Sequence, residues 1–186
     1  MKISALEEYG LRCLLRLGQT NNSNSLTINE IAVKERLSVA NVRKLMMILR
    51  ELDLVESVRG RSGGYALKSD PKEISVGQVL EQLGGRMYDK EFCGRHSGQL
   101  IDCTHTNACS VRSLWAVLDG LVGGVLGRIS LADLIGDERK ATLSLRGHLR
   151  ATIVEMLGQP VPGEAARDGS GFSARGGKAD PSLRSG

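Results

Sequence analysis

Three of the four cysteines, Cys93, Cys103 and Cys109, stand in one polar stretch with the spacing Cys-x9-Cys-x5-Cys. Thiolates are soft ligands for zinc and for iron–sulfur clusters, and they are also the nucleophiles of thiol–disulfide exchange. Structural zinc normally uses Cys-x2-4-Cys knuckles, which this stretch lacks. A three-cysteine set leaves one position of a cluster for a different donor. The pattern points to a metal or cluster site or to a redox-responsive thiol group, against the plainer reading of three cysteines without a role. His96 and His105 lie in the same stretch and read as bystanders. Cys13 is different, because it shares helical spacing with Leu6, Tyr9, Leu14 and Leu17 and reads as a packed residue. No nucleophile, base and orienting group recur in a catalytic arrangement, so the chain reads as a non-enzyme.

The elements that must hold these cysteines are legible on both sides. Residues 3–17 carry an amphipathic helical stripe, and Thr27 with Glu30 forms a capping box for a second helix. After a break at Arg36 and Leu37, Ser38 caps a third helix whose inner face is Val42, Leu45, Met46, Leu49 and Leu52. Residues 54–59 and 65–68 then alternate as short strands around Gly60, Gly63 and Gly64, with Arg59, Arg61 and Lys68 decorating the hairpin. Two short helices and a glycine-turned basic hairpin spell a winged helix-turn-helix. Ser75 and Gln78 open a helix that Gly84 and Gly85 close, and residues 86–107 form a long aperiodic loop. From Cys109 onward Val111, Trp115, Leu118, Val122, Val125 and Ile129 recur at 4-3-4-3-4 steps, the seam of a helix that packs on a partner. Leu114, Leu121 and Leu126 widen that stripe. The glycines at 120, 123, 124 and 127 either permit close backbone approach or weaken the helix. Ser130 and Asp133 begin a short helix ended by Gly136, and Leu145, Leu149, Ile153 and Met156 mark a last one.

Charge is concentrated where the wing lies. Between Lys34 and Lys68 eight basic residues face four acidic ones, an excess equal to the net +4 of all 186 residues. That is the footprint of a nucleic-acid surface. Aromatic residues make up only 3% of the chain and glycine accounts for 23 residues, so part of the length is not core. No run reaches the roughly 18 apolar residues of a membrane span, and Glu7, Glu8, Arg12 and Arg16 interrupt the first apolar stretch, which is therefore no signal peptide. A soluble, cytoplasmic protein without a membrane partner is expected.

The opening Met1-Lys-Ile-Ser-Ala-Leu-Glu-Glu-Tyr-Gly-Leu-Arg12, the stretch Leu54-Val-Glu-Ser-Val-Arg-Gly-Arg-Ser-Gly-Gly-Tyr-Ala-Leu67, the cysteine loop and the Trp115 helix together resemble the Rrf2 family of bacterial winged helix-turn-helix regulators, over about residues 1–136. The resemblance implies a homodimeric transcription factor whose loop cysteines hold a [2Fe-2S] or [4Fe-4S] cluster and report iron–sulfur, redox or nitric-oxide status. By position Cys93, Cys103 and Cys109 match the cluster cysteines, Ser38 to Lys44 match the start of the recognition helix, and Arg59 matches the wing residue that enters the minor groove. Ser38, Asn41, Arg43, Lys44, Arg59 and Arg61 are thus the expected contacts to a palindromic operator in double-stranded DNA. The sequence departs from cluster-binding members in three respects: the gap between Cys93 and Cys103 is longer than is common, Arg112 stands where some of them carry a ligand His three residues after the last Cys, and Arg43 with Lys44 replaces an acid–amide pair. The fourth ligand is open, and Glu8 of the partner subunit occupies the position of a carboxylate that some relatives recruit.

The expected fold is mainly α with a small β wing: a winged domain over 1–85, a cysteine loop over 86–109, a dimerisation helix and short helices over 110–157, and a disordered tail over 158–186. A zinc- or thiol-based regulator of the same fold and a small iron–sulfur electron-transfer protein are the competing readings. A non-specific basic DNA coat would leave the cysteines unexplained.

Overall fold

The structure is a computed structural model and describes residues 3–20, 25–60, 63–89, 91–97, 103, 105 and 109–158. The tail from 159 on, expected to be disordered, and Arg61 lie outside the described residues.

Helix α1 (Ala5–Gly18) opens on Ser4, which exchanges capping hydrogen bonds with Glu7 and so satisfies two free donors of the first turn. Helix α2 (Ile28–Glu35) starts on the expected Thr27–Glu30 box and stops at Arg36, whose φ of 54° is left-handed. Helix α3 (Val39–Glu51) follows after two residues, with the Ser38 hydroxyl accepting from the Asn41 amide. Its buried face is Val42, Leu45, Met46 and Leu49, while Leu52 is the cap beyond the last turn and packs at the core's edge. Leu14, Leu17, Ile31 and Val79 complete one core beneath the three helices.

Strands β1 (Val55–Val58) and β2 (Gly64–Leu67) pair antiparallel with Val55 opposite Leu67. The sheet has a third participant that the alternation did not reveal: Leu26 exchanges both backbone hydrogen bonds with Tyr65, at 3.0 and 2.8 Å. Gly64 is required by that pairing, because a Cβ there would lie 2.5 Å from the Leu26 carbonyl oxygen. Gly64→Ala is therefore expected to destabilise the domain by about 1–3 kcal/mol through forced overpacking against backbone, read by urea unfolding. An unchanged midpoint would contradict the pairing. Lys68 proves not to be a free wing cation, since its ammonium is paired with both carboxylate oxygens of Asp53.

Helix α4 (Val76–Gly84) ends at Gly85, whose φ is +80°. The following segment is not wholly aperiodic. One short helix, α5 (Phe92–Arg95), carries Cys93. Helix α6 (Ser110–Leu126) ends at Gly127, so Ile129, expected as its last apolar step, instead lies in the extended return that pairs with residues before α4. The Ile129 carbonyl accepts from the Val76 amide and Leu131 donates to the Ile74 carbonyl. This stitching brings α7 (Leu131–Leu134) back onto α1, with Leu131 fully buried in the winged core. Of the glycines at 120, 123, 124 and 127, close approach holds for Gly124, where a Cβ would press on Thr152, and the Gly127 backbone lies against Gly77, where a Cβ would meet it; a Cβ on Gly120 or Gly123 would meet open space. Thr152 belongs to α8 (Glu138–Gly158), which lies along the second half of α6. No helix among the described residues is long and apolar enough to cross a membrane.

Asp133 joins α7 to α8. Partial burial raises its carboxyl pKa, but hydrogen bonds from Ser130 and Ser144 and the nearby His148 outweigh that and hold it at about 2, below the ordinary 3.8. A depressed acid stabilises the fold above its ordinary pKa and loses that contribution as pH falls toward the folded value. Asp133→Asn should remove about 1 kcal/mol at neutral pH, after solvent screening of this partly exposed group. The difference from the parent protein should vanish between about pH 4 and 2. Urea titrations across that range check it, and a pH-independent difference would contradict it.

Candidate functional site

Two surfaces carry the residues expected to act. The first is the outer side of α3 and the wing. Ser38, Arg43 and Lys44 are exposed and Asn41 is half-buried at the amino end of α3, opposite the buried face that anchors the helix. Arg59 is exposed where β1 gives way to the Gly60 turn, which has φ +114°. The helix-turn-helix is braced from behind: Glu35, only 7% exposed, receives Arg12 Nε at 3.0 Å and Arg16 Nε at 2.6 Å, and Arg12 also donates to its carbonyl. Paired guanidiniums are what make a buried carboxylate tolerable. They tie α1 to the end of α2, and so to the turn that sets the angle of α3.

The second surface is the cysteine region between α4 and α6. Cys109 is the N-cap of α6, and its sulfur accepts from the Arg112 amide at 3.4 Å. Cys103 accepts from the His105 amide at 3.5 Å, and the Arg112 guanidinium donates to the His105 carbonyl. Arg112, at the departing position, thereby connects Cys109 to the Cys103 segment. Cys93 lies 3.9 Å from the Tyr88 hydroxyl. Burial first, and then Cys93, raise the Tyr88 pKa, with Cys109 adding to the rise and Arg112 opposing it. The Tyr88 phenol thus sits among two cysteines and a cation. His96 donates through Nδ1 to its own helix's Phe92 carbonyl and stacks on that ring at 4.3 Å, so it is a structural neighbour of Cys93.

All three loop cysteines are half-buried, whereas Cys13 is fully buried and its thiol is pushed up to about 12, by burial foremost and then by Glu35. Among the described residues no three His, Cys, Asp or Glu side chains converge as metal ligands would. The fit to an iron–sulfur cluster therefore lies in donor chemistry and not in a converged geometry: the segment between α4 and α6 offers three soft sulfurs, and backbone amides donate to two of them, the kind of hydrogen bond that tunes cluster potential. Glu8 is exposed on α1 and borders a groove of about 410 Å³ between α1, α4 and α6.

Sequence reasoning missed Asp119, the only buried residue of α6. Its carboxylate accepts from Arg86 at 2.5 Å and from the Tyr88 amide at 3.2 Å. The signal was present, since Asp119 is the one charge between Ser113 and Arg128 in an otherwise apolar and glycine-rich helix. The seam also divides. Val122 and Leu126 line the groove, and Trp115 faces Phe92. Val111, Leu114 and Val117 remain more than half exposed, with Leu118 and Leu121 half-buried beside them.

Comparison with known proteins agrees with this architecture. The family profile Rrf2, described as an iron-dependent transcriptional regulator, matches residues 3–137. The HTH-type transcriptional regulator IscR of Cronobacter sakazakii is 27% identical over 151 residues, covering 81% of this chain and 90% of its own length. Among solved structures, CymR, the global cysteine regulator of B. subtilis, superposes with a TM-score of 0.59 at 28% identity, over 72% of this chain and 95% of its own. T. potens IscR does so with a TM-score of 0.57 at 28% identity, over 72% and 85%.

Proposed function

The chain belongs to the Rrf2 family of transcriptional regulators, and from that premise we propose that it acts in the cytoplasm as a homodimer on palindromic DNA, with affinity set by an iron–sulfur cluster on Cys93, Cys103 and Cys109. It is a regulator rather than an enzyme. One observation carries the sensing part: the cysteine region starts at the end of α4, inside the winged domain, and ends as the N-cap of α6, whose outer face is apolar and exposed. A group bound there touches both the DNA-reading half and the helix available for pairing.

In this reading α3 enters the major groove, Ser38 and Asn41 meet phosphates near its amino end, and Arg43 and Lys44 reach base edges. Arg59, with Arg61, approaches the minor groove. Val111, Leu114, Val117, Leu118 and Leu121 pair with their symmetry mates. Glu8 of the partner subunit supplies the remaining ligand. A bound cluster, [2Fe-2S] or [4Fe-4S], would supply reversible redox chemistry and sensitivity to oxidants or nitric oxide. The chain's own part is to hold three thiolates, donate amides to two of them and transmit the loop's order to α6.

The DNA part is tested by selecting sites from random double-stranded DNA and titrating the winner. The selection should return two half-sites about 34–36 Å apart, with Arg43→Ala and Arg59→Ala each losing about 1–3 kcal/mol. Arg43→Ala should relax preference at particular base pairs. Absence of a palindrome, or unchanged affinities, would contradict the proposal.

A further inference from the structure

Asp119 is 8% exposed in a helix that buries nothing else. A carboxylate is tolerated in such a place only when its oxygens are partnered, and both of its partners come from the entry of the cysteine loop. Arg86 Nη2 donates to Oδ2 at 2.5 Å and the Tyr88 amide donates to Oδ1 at 3.2 Å. The Arg86 side chain is itself 54% exposed, so its position is set by the carboxylate rather than by burial. Beyond this tie, the Tyr88 ring packs on Phe92 at 5.3 Å and its hydroxyl reaches Cys93. Phe92 in turn faces Trp115, one helical turn before Asp119 on α6, at 6.5 Å. The short helix bearing Cys93 is therefore fastened to α6 at two points, of which Asp119 is the polar and directional one.

We propose that Asp119 is a positioning residue that locks the entry of the cysteine loop to α6, presenting Cys93 in a fixed place and making α6 respond to what Cys93 binds. This deepens the regulatory reading above and rests on it for its consequence, whereas the positioning itself can be tested without any cluster. Arg86 and Tyr88 are held as a pair, so releasing either arm of the tie should free the same cysteine. Cys103 and Cys109 are attached elsewhere, through His105 and Arg112, and should not follow.

The experiment compares the parent protein with Asp119→Ala and with Arg86→Gln, the second being a change at a half-exposed side chain that leaves the fold intact if the first does not. Apo protein is alkylated with iodoacetamide and each cysteine is followed by mass spectrometry. In both variants Cys93 should react roughly three- to tenfold faster while Cys103 keeps its parent rate. Cluster-loaded and apo samples are then titrated with the selected operator, and the affinity ratio between them should fall toward one. Unchanged Cys93 reactivity in both variants would overturn the proposal, as would Cys93 and Cys103 accelerating together, which marks general loosening. If the parent protein itself shows no difference between loaded and apo affinity, the regulatory reading falls, and the Cys93 rates still decide the positioning role.

Discussion

Replacing any one of Cys93, Cys103 or Cys109 with Ala is expected to abolish the visible chromophore of anaerobically purified protein and to change operator affinity by about tenfold or more, whereas Cys13→Ala keeps both. The size follows from coupling energies between sites, which commonly span about 5- to 150-fold in affinity. The separation between the cysteines follows from their surroundings. Cys13 has no exposed surface and its thiol is held at about 12, chiefly by burial, so at neutral pH it is neither a ligand nor a nucleophile. The other three are half-buried at the α4–α6 junction, two with N–H donors on sulfur and the third beside Tyr88. The fourth ligand is tested by subunit mixing. Glu8→Ala and Cys93→Ala proteins each lose the intact site, but in their heterodimer one of the two sites regains every ligand if Glu8 acts across the interface. Recovery of about half the cluster content is expected. No recovery beyond the parent variants would contradict ligation by Glu8 of the partner subunit, and retained colour in any single loop-cysteine variant would contradict the three-cysteine site.

The second large effect is expected from Leu114→Glu. Leu114 is 52% exposed between Val111 and Val117, which are 55% and 57% exposed, on a helix already packed on α4 and α8 by its other sides. A row of exposed aliphatic side chains on a long helix marks a protein-binding face, and the 3-4-3 stepping of Val111, Leu114, Leu118 and Leu121 suits a second copy of the same helix. A buried, unpaired carboxylate there should dissociate the dimer, because desolvating it costs several kcal/mol. Losing the second half-site forfeits an effective-concentration gain of about 10²–10⁴ in DNA affinity. Sedimentation should show a monomer with native helicity and weakened operator binding. A variant that remains dimeric with parent affinity would place the dimer contact elsewhere.

The helix caps were readable because capping is local: Thr27–Glu30, Ser38 and Ser130–Asp133 act within four residues, and each cap stands where its spacing puts it. The wing was readable from alternation and glycines, but its Leu26 contribution was not, since one bridging residue leaves no period. The end of α6 was misjudged for a related reason. Ile129 keeps helical spacing with Val125, yet its backbone is claimed by Val76 from another element, and no pattern within residues 109–129 encodes that pairing. At the candidate site the cysteines announced themselves by type and spacing. Their supports did not: Tyr88, Arg86 and Asp119 are distant in sequence and meet only through the approach of the loop entry to α6. Lys68 reads as wing charge in the sequence because composition cannot show that Asp53, fifteen residues earlier, faces it.

An iron–sulfur cluster on the three loop cysteines that governs DNA binding leaves its signature in the protein's colour and composition. The most direct test is an absorption spectrum of anaerobically purified protein combined with iron, acid-labile sulfide and zinc analysis. A coloured protein is expected, with sulfur-to-iron charge-transfer bands, iron and sulfide in matching amounts, and loss of colour on oxidation together with altered operator affinity. A colourless protein carrying stoichiometric zinc, or one with no metal whose cysteines respond only to thiol oxidants, would contradict it.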